Sequence, residues 1–168
     1  MRNAFFSSIA ILLLTSAAHA QSVAGAVQEF GLVGTWAVVC KELPSPQNEH
    51  ASFSVSQSGA VRLRNDFGRD YDEMVYRIVS AKRAAPDRVA LRQVLMNDSR
   101  IVLDTVMLKS DDRIRVWSSR GVDGTTLVSE GTVSLTNGTE TRWVTRCQGR
   151  WTGDGTPVTD IQFRPADK

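Results

Sequence analysis

In the stretch Ser22 to Phe30 (SVAGAVQEF), Val23, Ala26, Val27 and Phe30 recur at i, i+3, i+4 and i+7. This spacing predicts one short amphipathic helix, with Ser22 placed to cap its start and Gly31 to end it. After Gly31 the period shortens to two. Trp36, Val38 and Cys40 share one face of Val33 to Cys40, and Ala51, Phe53 and Val55 alternate with serines. Val61 and Leu63 alternate with Arg62 and Arg64. Met74, Tyr76 and Ile78 share a face, as do Val89, Leu91 and Leu95, and then Ile114 and Val116. Each run reads as a strand with one buried face and one wet face.

Turn residues punctuate these runs at short intervals: Ser58-Gly59, Pro86-Asp87, Asn97-Asp98, Asp111-Asp112, Asp123-Gly124 and Asn137-Gly138. Strands joined by tight turns, with no helix between them, form antiparallel hairpins rather than parallel crossover units. The expected fold class is all-β: a single antiparallel up-and-down barrel of about 8–9 strands, with a short N-terminal helix and an irregular C-terminal tail. The expected organisation is a secretory signal over residues 1–20, a helical segment over 21–32, the barrel over 33–152 and the tail over 153–168.

The signal reading rests on Arg2, on the apolar run Phe5 to Leu14 and on the small-x-small site Ala18-His19-Ala20. It predicts cleavage near Ala20–Gln21 and a periplasmic or secreted address. That apolar run is too short to span a bilayer, so the chain is not expected to span a membrane. The formal net charge of the 168 residues is +2, and loss of Arg2 lowers it by one. Such a balanced charge argues against nucleic acid as the partner. Cys40 and Cys147 are the two cysteines. An oxidising address favours a disulfide between them, with two free thiols as the alternative.

The last strand, read as Glu140 to Trp151, places Trp143, Thr145, Cys147 and Trp151 on one face. Cys40 opposite Cys147 would set Gly149 against Val38 and Trp151 against Trp36, making the first and last strands neighbours. The alternative is a surface clip between segments that touch without pairing.

A helical turn, then Gly34-Thr35-Trp36 on the first strand, a run of hairpins and a basic aromatic last strand (Thr141 to Arg146) resembles the lipocalin-like, or calycin, barrels. The resemblance implies that Gly34 and Trp36 form a barrel-floor motif, with Arg146 or Arg150 packed across the tryptophan. The long helix that usually follows the last barrel strand in that family is not evident here. Small secreted inhibitors of bacterial metalloproteases look similar too, although their cysteines lie closer in sequence. The start, FGLVGTWAVVC, also resembles the invasion-associated locus B family, but the later cysteines of that family are missing.

Little here suggests catalysis. His50 is the one histidine left after the signal, and it is expected to be an exposed imidazole at a strand start. Two bonded cysteines and one histidine cannot build a histidine-rich zinc site, and no strained Gly-x-Ser-x-Gly elbow supports a triad. No metal, no cofactor and no catalytic residue is therefore expected. Asp66 to Glu73 lacks the ligand order of a calcium loop. Arg62, Arg64, Arg92, Arg113 and Arg115 fall on outward positions, where they either meet an anionic surface or keep the barrel soluble.

Binding fits the pattern better. Phe53, Leu63, Met74, Tyr76, Leu91, Gln93 and Val116 are the candidate ligand-lining residues, with Ser80, Gln93 and Thr105 polar but in phase with the interior. Val94, Met96, Val102, Val106 and Leu108 are apolar on the outward face, and need either the tail at Ile161 and Phe163 or another chain to cover them. The leading expectation is an exported non-catalytic binding protein of lipocalin-like type, a monomer or weak dimer, taking a small apolar ligand in the barrel. The alternative is a protein-binding module such as a secreted protease inhibitor; the third is a structural periplasmic protein.

Overall fold

The computed structural model describes residues 21–136, 138–148, 150–151 and 157–158. Residues 1–20, and with them the signal reading, lie outside the described residues, as do Ile161 and Phe163 of the tail.

Helix α1 runs from Val23 to Phe30. Ser22 Oγ accepts a hydrogen bond from the Gly25 amide at 3.0 Å, and Gly31 ends the helix at φ +80°. That positive φ, which a side chain would strain, lets the Leu32 amide reach back to the Val27 carbonyl at 3.0 Å. The apolar stripe then faces inward. Val27 and Leu32 are wholly buried and Phe30 nearly so, each worth about 1.5–3 kcal/mol of favourable burial.

Ten strands form one sheet. They are β1 (Gly34–Ala37), β2 (His50–Val55), β3 (Val61–Asp66), β4 (Met74–Ala85), β5 (Arg88–Leu95), β6 (Val102–Ser110), β7 (Arg113–Gly121), β8 (Thr126–Ser129), β9 (Thr132–Val133) and β10 (Val144–Arg146). Every pairing is antiparallel. Strands β1 to β7 meander, and β10 pairs with β1 on one side and β7 on the other. Those eight strands close a barrel, so no edge of it is left to aggregate. The β8–β9 hairpin stays outside the closure, because β8 pairs with the C-terminal half of β7 while β10 takes the N-terminal half. A separate pair, β11 (Arg150–Trp151) and β12 (Pro157–Val158), follows.

Closure uses a different register from the expected one. Trp36 stands opposite Arg146 and Ala37 opposite Thr145, while Trp151 pairs with Pro157. Strand β1 ends at Ala37, before Cys40, so Cys40 lies beyond the pair, whereas the Cys147 amide still donates to the Thr35 carbonyl of β1 at 2.8 Å. The Cys40–Cys147 disulfide does form, with the Cα atoms 5.4 Å apart. It staples the loop after β1 to the end of β10.

Inward residues pack into one core that includes Trp36, Phe53, Val61, Leu63, Tyr76, Ile78, Leu91 and Ile114. Two strand positions depart from simple alternation. A bulge after Ile78 leaves Val79 exposed and sets Ser80 opposite Arg92, on the outer face, so Ser80 is not an interior group. Another bulge after Val106 makes Trp117 the unpaired residue of β7.

Trp117 belongs to an outer ladder of stacked cations and rings. Arg88 lies 4.6 Å from the Trp117 centroid, Arg115 lies 5.6 Å from Trp117 and 4.7 Å from Trp143, and Arg113 lies 5.4 Å from Trp143. This ladder sits where β7 changes partner, a point where its backbone would otherwise go unpaired. There Thr141 Oγ1 donates to the Val116 carbonyl at 2.7 Å and the Gly131 amide to the Trp117 carbonyl at 2.6 Å. Four of the five outward arginines, Arg64, Arg92, Arg113 and Arg115, thus have partners within the chain. Arg92 makes a forked pair with Asp104 at 2.7 Å, and Arg64 pairs with Glu73 and Asp66.

Of the outward apolar residues, Val94, Val102, Val106 and Leu108 are half-buried and Met96 is exposed.

Candidate functional site

Antiparallel meandering sends the connections to two ends. Helix α1 and the β2–β3, β4–β5 and β6–β7 turns close one end, the floor; the β1–β2, β3–β4, β5–β6 and β7–β8 loops surround the other, the mouth.

At the floor, the Trp36 ring nitrogen donates to the Leu32 carbonyl at 2.7 Å, which ties β1 to the end of the helix. The Arg146 guanidinium lies 6.0 Å from the Trp36 ring, and its Nη2 donates to the Val33 carbonyl at 2.6 Å. Gly34, at φ +131°, passes so close that a Cβ there would lie 3.2 Å from Arg146 Nε. The structure therefore brings Gly34, Trp36 and Arg146 together. Arg150 lies in β11, and its side chain is outside the described residues.

A polar stripe crosses the interior on β5, β6 and β7. Gln93 Nε2 donates to Thr105 Oγ1 at 2.8 Å, and Thr105 Oγ1 lies 3.1 Å from Ser119 Oγ. Gln93 Oε1 is buried with no hydrogen-bond partner among the described residues, an uncommon state for a buried acceptor.

Near the mouth the β1–β2 loop folds back over the outer face of β2. Asn48 organises it, accepting from the Val39 amide at 2.9 Å and donating to the Val39 carbonyl at 3.0 Å. His50 lies beneath this loop, 5% exposed, with Nε2 3.2 Å from Asn48 Nδ2. The expectation of an exposed imidazole is corrected, because the folded loop covers a strand position that alternation alone turns toward water. Burial lowers its pKa below the ordinary 6.5, opposed by a hydrogen bond that the imidazole donates to the Glu42 backbone carbonyl and by the charge of Asp66.

A cavity of about 360 Å³ opens at the mouth on the β10 side. Ala51, Met107, Ile114, Val116 and Val144 give it an apolar inner lining, and Val38, Pro46, Thr136, Thr139 and Arg142 stand at its rim. Of the candidate lining residues, Val116 borders this space. Phe53, Leu63, Tyr76 and Leu91 are packed within the buried core, Gln93 lies in the polar stripe, and Met74 is 44% exposed beside the mouth.

One charged side chain that sequence reasoning passed over lines the same space. Glu49 precedes β2 and continues the alternation of Ala51 and Phe53 to the inner face. Burial raises its pKa above the ordinary 4.5, with the positive charge of Arg142 opposing. Tyr76 feels it across the interior: burial first, then the charge of Glu49, raises the phenol pKa above 10.0. Among the described residues Glu49 makes no side-chain hydrogen bond or ion pair.

Among the described residues, no group of three or more His, Cys, Asp or Glu side chains is placed to hold a metal ion, and no helix is long and apolar enough to cross a membrane. Fold and site define a closed eight-stranded antiparallel barrel with a packed floor and a small amphipathic cavity at its mouth. No family model, curated protein or solved structure matches the chain.

Proposed function

We propose that the chain is an exported, non-catalytic binding protein that takes a small, largely apolar molecule into the mouth cavity. The observation that carries this reading is the cavity itself. It is within the size range of small-molecule sites, lined by apolar side chains with a few polar groups, and set in a barrel whose opposite end is filled by α1 and Trp36. Gly34, Trp36 and Arg146 then serve as the floor that holds the barrel's shape under an open mouth, the role that the likeness to lipocalin-like barrels implies. Export rests on residues 1–20 and agrees with a disulfide, which persists in oxidising compartments.

Native mass spectrometry of the protein purified from its own host tests the proposal, together with uptake of a neutral apolar dye such as N-phenylnaphthylamine. The expected results are an added small-molecule mass and dye uptake that Ala51→Phe abolishes by filling the cavity. Bare protein that is folded yet takes up no dye overturns the reading.

A protein-binding role is the second reading, and the distribution of exposed apolar residues favours it. Leu43, Tyr71, Met96, Ile101 and Val122 are exposed on four mouth loops, whereas the floor turns Ser56 to Ala60, Pro86-Asp87 and Asp111-Asp112 carry no large apolar side chain. A second protein co-purifying at fixed stoichiometry, with no small-molecule mass, favours that reading over the first.

A further inference from the structure

The mouth cavity is lined by four charged side chains, Glu49, Arg115, Glu140 and Arg142, whose situations differ. Arg142 Nη1 donates to the Pro46 and Gln47 carbonyls and so ties the β1–β2 loop to the segment before β10. Arg115 is stacked between Trp117 and Trp143, with Nη1 3.3 Å from Glu140 Oε2. Arg142 is thus engaged in holding the cavity wall, and Arg115 is held by its two rings and Glu140, although its Nε is buried with no hydrogen-bond partner among the described residues. Glu49 has no such partner among the described residues, and it stands against the apolar surface of Ala51, Ile114 and Val144.

An ionised carboxylate beside apolar surface loses hydration that the nearby charge of Arg142 offsets only in part, and a cation brought in with a ligand supplies the missing direct partner. The raised pKa of Glu49 reports the same cost. Charge around the opening adds to the effect. Carboxylates outnumber cations on the mouth loops, and Arg100, one of those cations, is paired with Asp98 at 2.8 Å. Such a rim draws a positively charged molecule toward the opening and repels an anion.

We infer that the cavity takes a small amphipathic amine, whose ammonium group meets the Glu49 carboxylate while its apolar body lies along Ala51, Ile114, Val116 and Val144. This inference rests on the proposed binding role of the cavity and goes further by naming the head group. A fatty-acid-like ligand is disfavoured, because its carboxylate would share the cavity with those of Glu49 and Glu140.

Calorimetric titration of the purified full chain with decylamine, decanol and decanoate, below their aggregation limits, separates the head group from the tail. Decylamine is expected to bind about tenfold or more tighter than decanol, with decanoate weakest, since only the amine forms a charge-assisted pair with the carboxylate. Glu49→Gln is expected to remove most of that preference and leave decanol binding within about twofold. Equal binding of amine and alcohol by the wild type overturns the assignment of Glu49 yet leaves the cavity reading standing. So does a preference for amine that Glu49→Gln retains. If no probe binds the folded wild type, the cavity reading fails and this inference fails with it. The wild-type series decides the question even if the variant does not fold.

Discussion

Arg146 stands directly opposite Trp36 in the β1–β10 pair and lays its guanidinium over the indole at 6.0 Å. The same side chain holds the Val33 carbonyl, and the indole N–H holds that of Leu32. Two residues more than a hundred positions apart thereby join the helix end, the first strand and the last strand at one point.

Trp36→Ala is expected to destabilise the protein by about 3–5 kcal/mol, the usual loss for a buried aromatic side chain. Arg146→Ala should cost about 1–2 kcal/mol through the lost stacking and carbonyl contact. Urea unfolding of both variants and of the double variant checks this. A coupling energy near zero would show that the two side chains act independently.

Gly34→Ala combines an unfavourable φ with a Cβ placed 3.2 Å from Arg146 Nε. Gly59, at φ +80°, has open space where its Cβ would go, so Gly59→Ala carries the backbone strain alone, about 1 kcal/mol. The melting temperature is expected to fall further for Gly34→Ala than for Gly59→Ala. An equal fall would mean that Arg146 yields freely.

The disulfide closes a loop with a sequence separation of 107 residues. In the chain-entropy model this contributes about 4–5 kcal/mol by restricting the unfolded chain. Because β10 also pairs with β1 and β7 through backbone bonds, the Cys40→Ala/Cys147→Ala variant is expected to keep its β-rich circular dichroism yet unfold at much lower urea. Loss of the barrel signal in the absence of denaturant would show that closure depends on sulfur.

Neighbouring residues Glu49 and His50 should leave opposite marks on the pH dependence of stability. For His50, whose folded pKa is lowered, the unfolded state binds more protons between the folded value and 6.5. Its contribution is complete above 6.5 and is lost as the pH falls through that window. For Glu49, whose folded pKa is raised, the contribution is complete below 4.5 and is lost as the pH rises through the folded value. Melting temperatures across the acid range should show a smaller acid loss for His50→Gln than for the wild type. Glu49→Gln should gain stability at neutral pH and little at pH 4. The reverse pattern would contradict the burial assigned to each group.

Trp143 braces the point where β7 passes from β8 to β10. Trp143→Ala is expected to cost about 1–3 kcal/mol from lost burial and two cation–π contacts. Hydrogen exchange should quicken at the Gly131 and Thr141 amides, which close that junction, and remain slow in β2 to β5. Uniform quickening would mean that the ladder acts on global stability alone.

Much of this was readable in the chain. The change from a 3.6-residue period to a period of two at Gly31 separates α1 from the strands, and the caps at Ser22 and Gly31 stand where the pattern puts them. Glu49 was also within reach: extending Ala51 and Phe53 back by two positions places it on the inner face. It went unread because alternation is followed through apolar residues, and a carboxylate looks like the end of a strand.

Other features depend on contacts that alternation cannot express. The bulge after Ile78 turns Ser80 outward, and the loop held by Asn48 buries His50 although its strand position faces water. The β1–β10 register followed the fit of Arg146 over Trp36 rather than alignment of the two cysteines.

Local periodicity, turn chemistry and cysteine number by themselves determined an antiparallel all-β chain with one short helix and one disulfide, because each depends on interactions within a few residues or on a single choice of partner. Where the ring closes, which hairpin is left outside it and what space remains at the mouth were decided only in three dimensions. Those outcomes depend on how β8 and β10 divide one edge of β7 and on β10 meeting β1, more than a hundred residues earlier in the chain, and no local pattern records either choice.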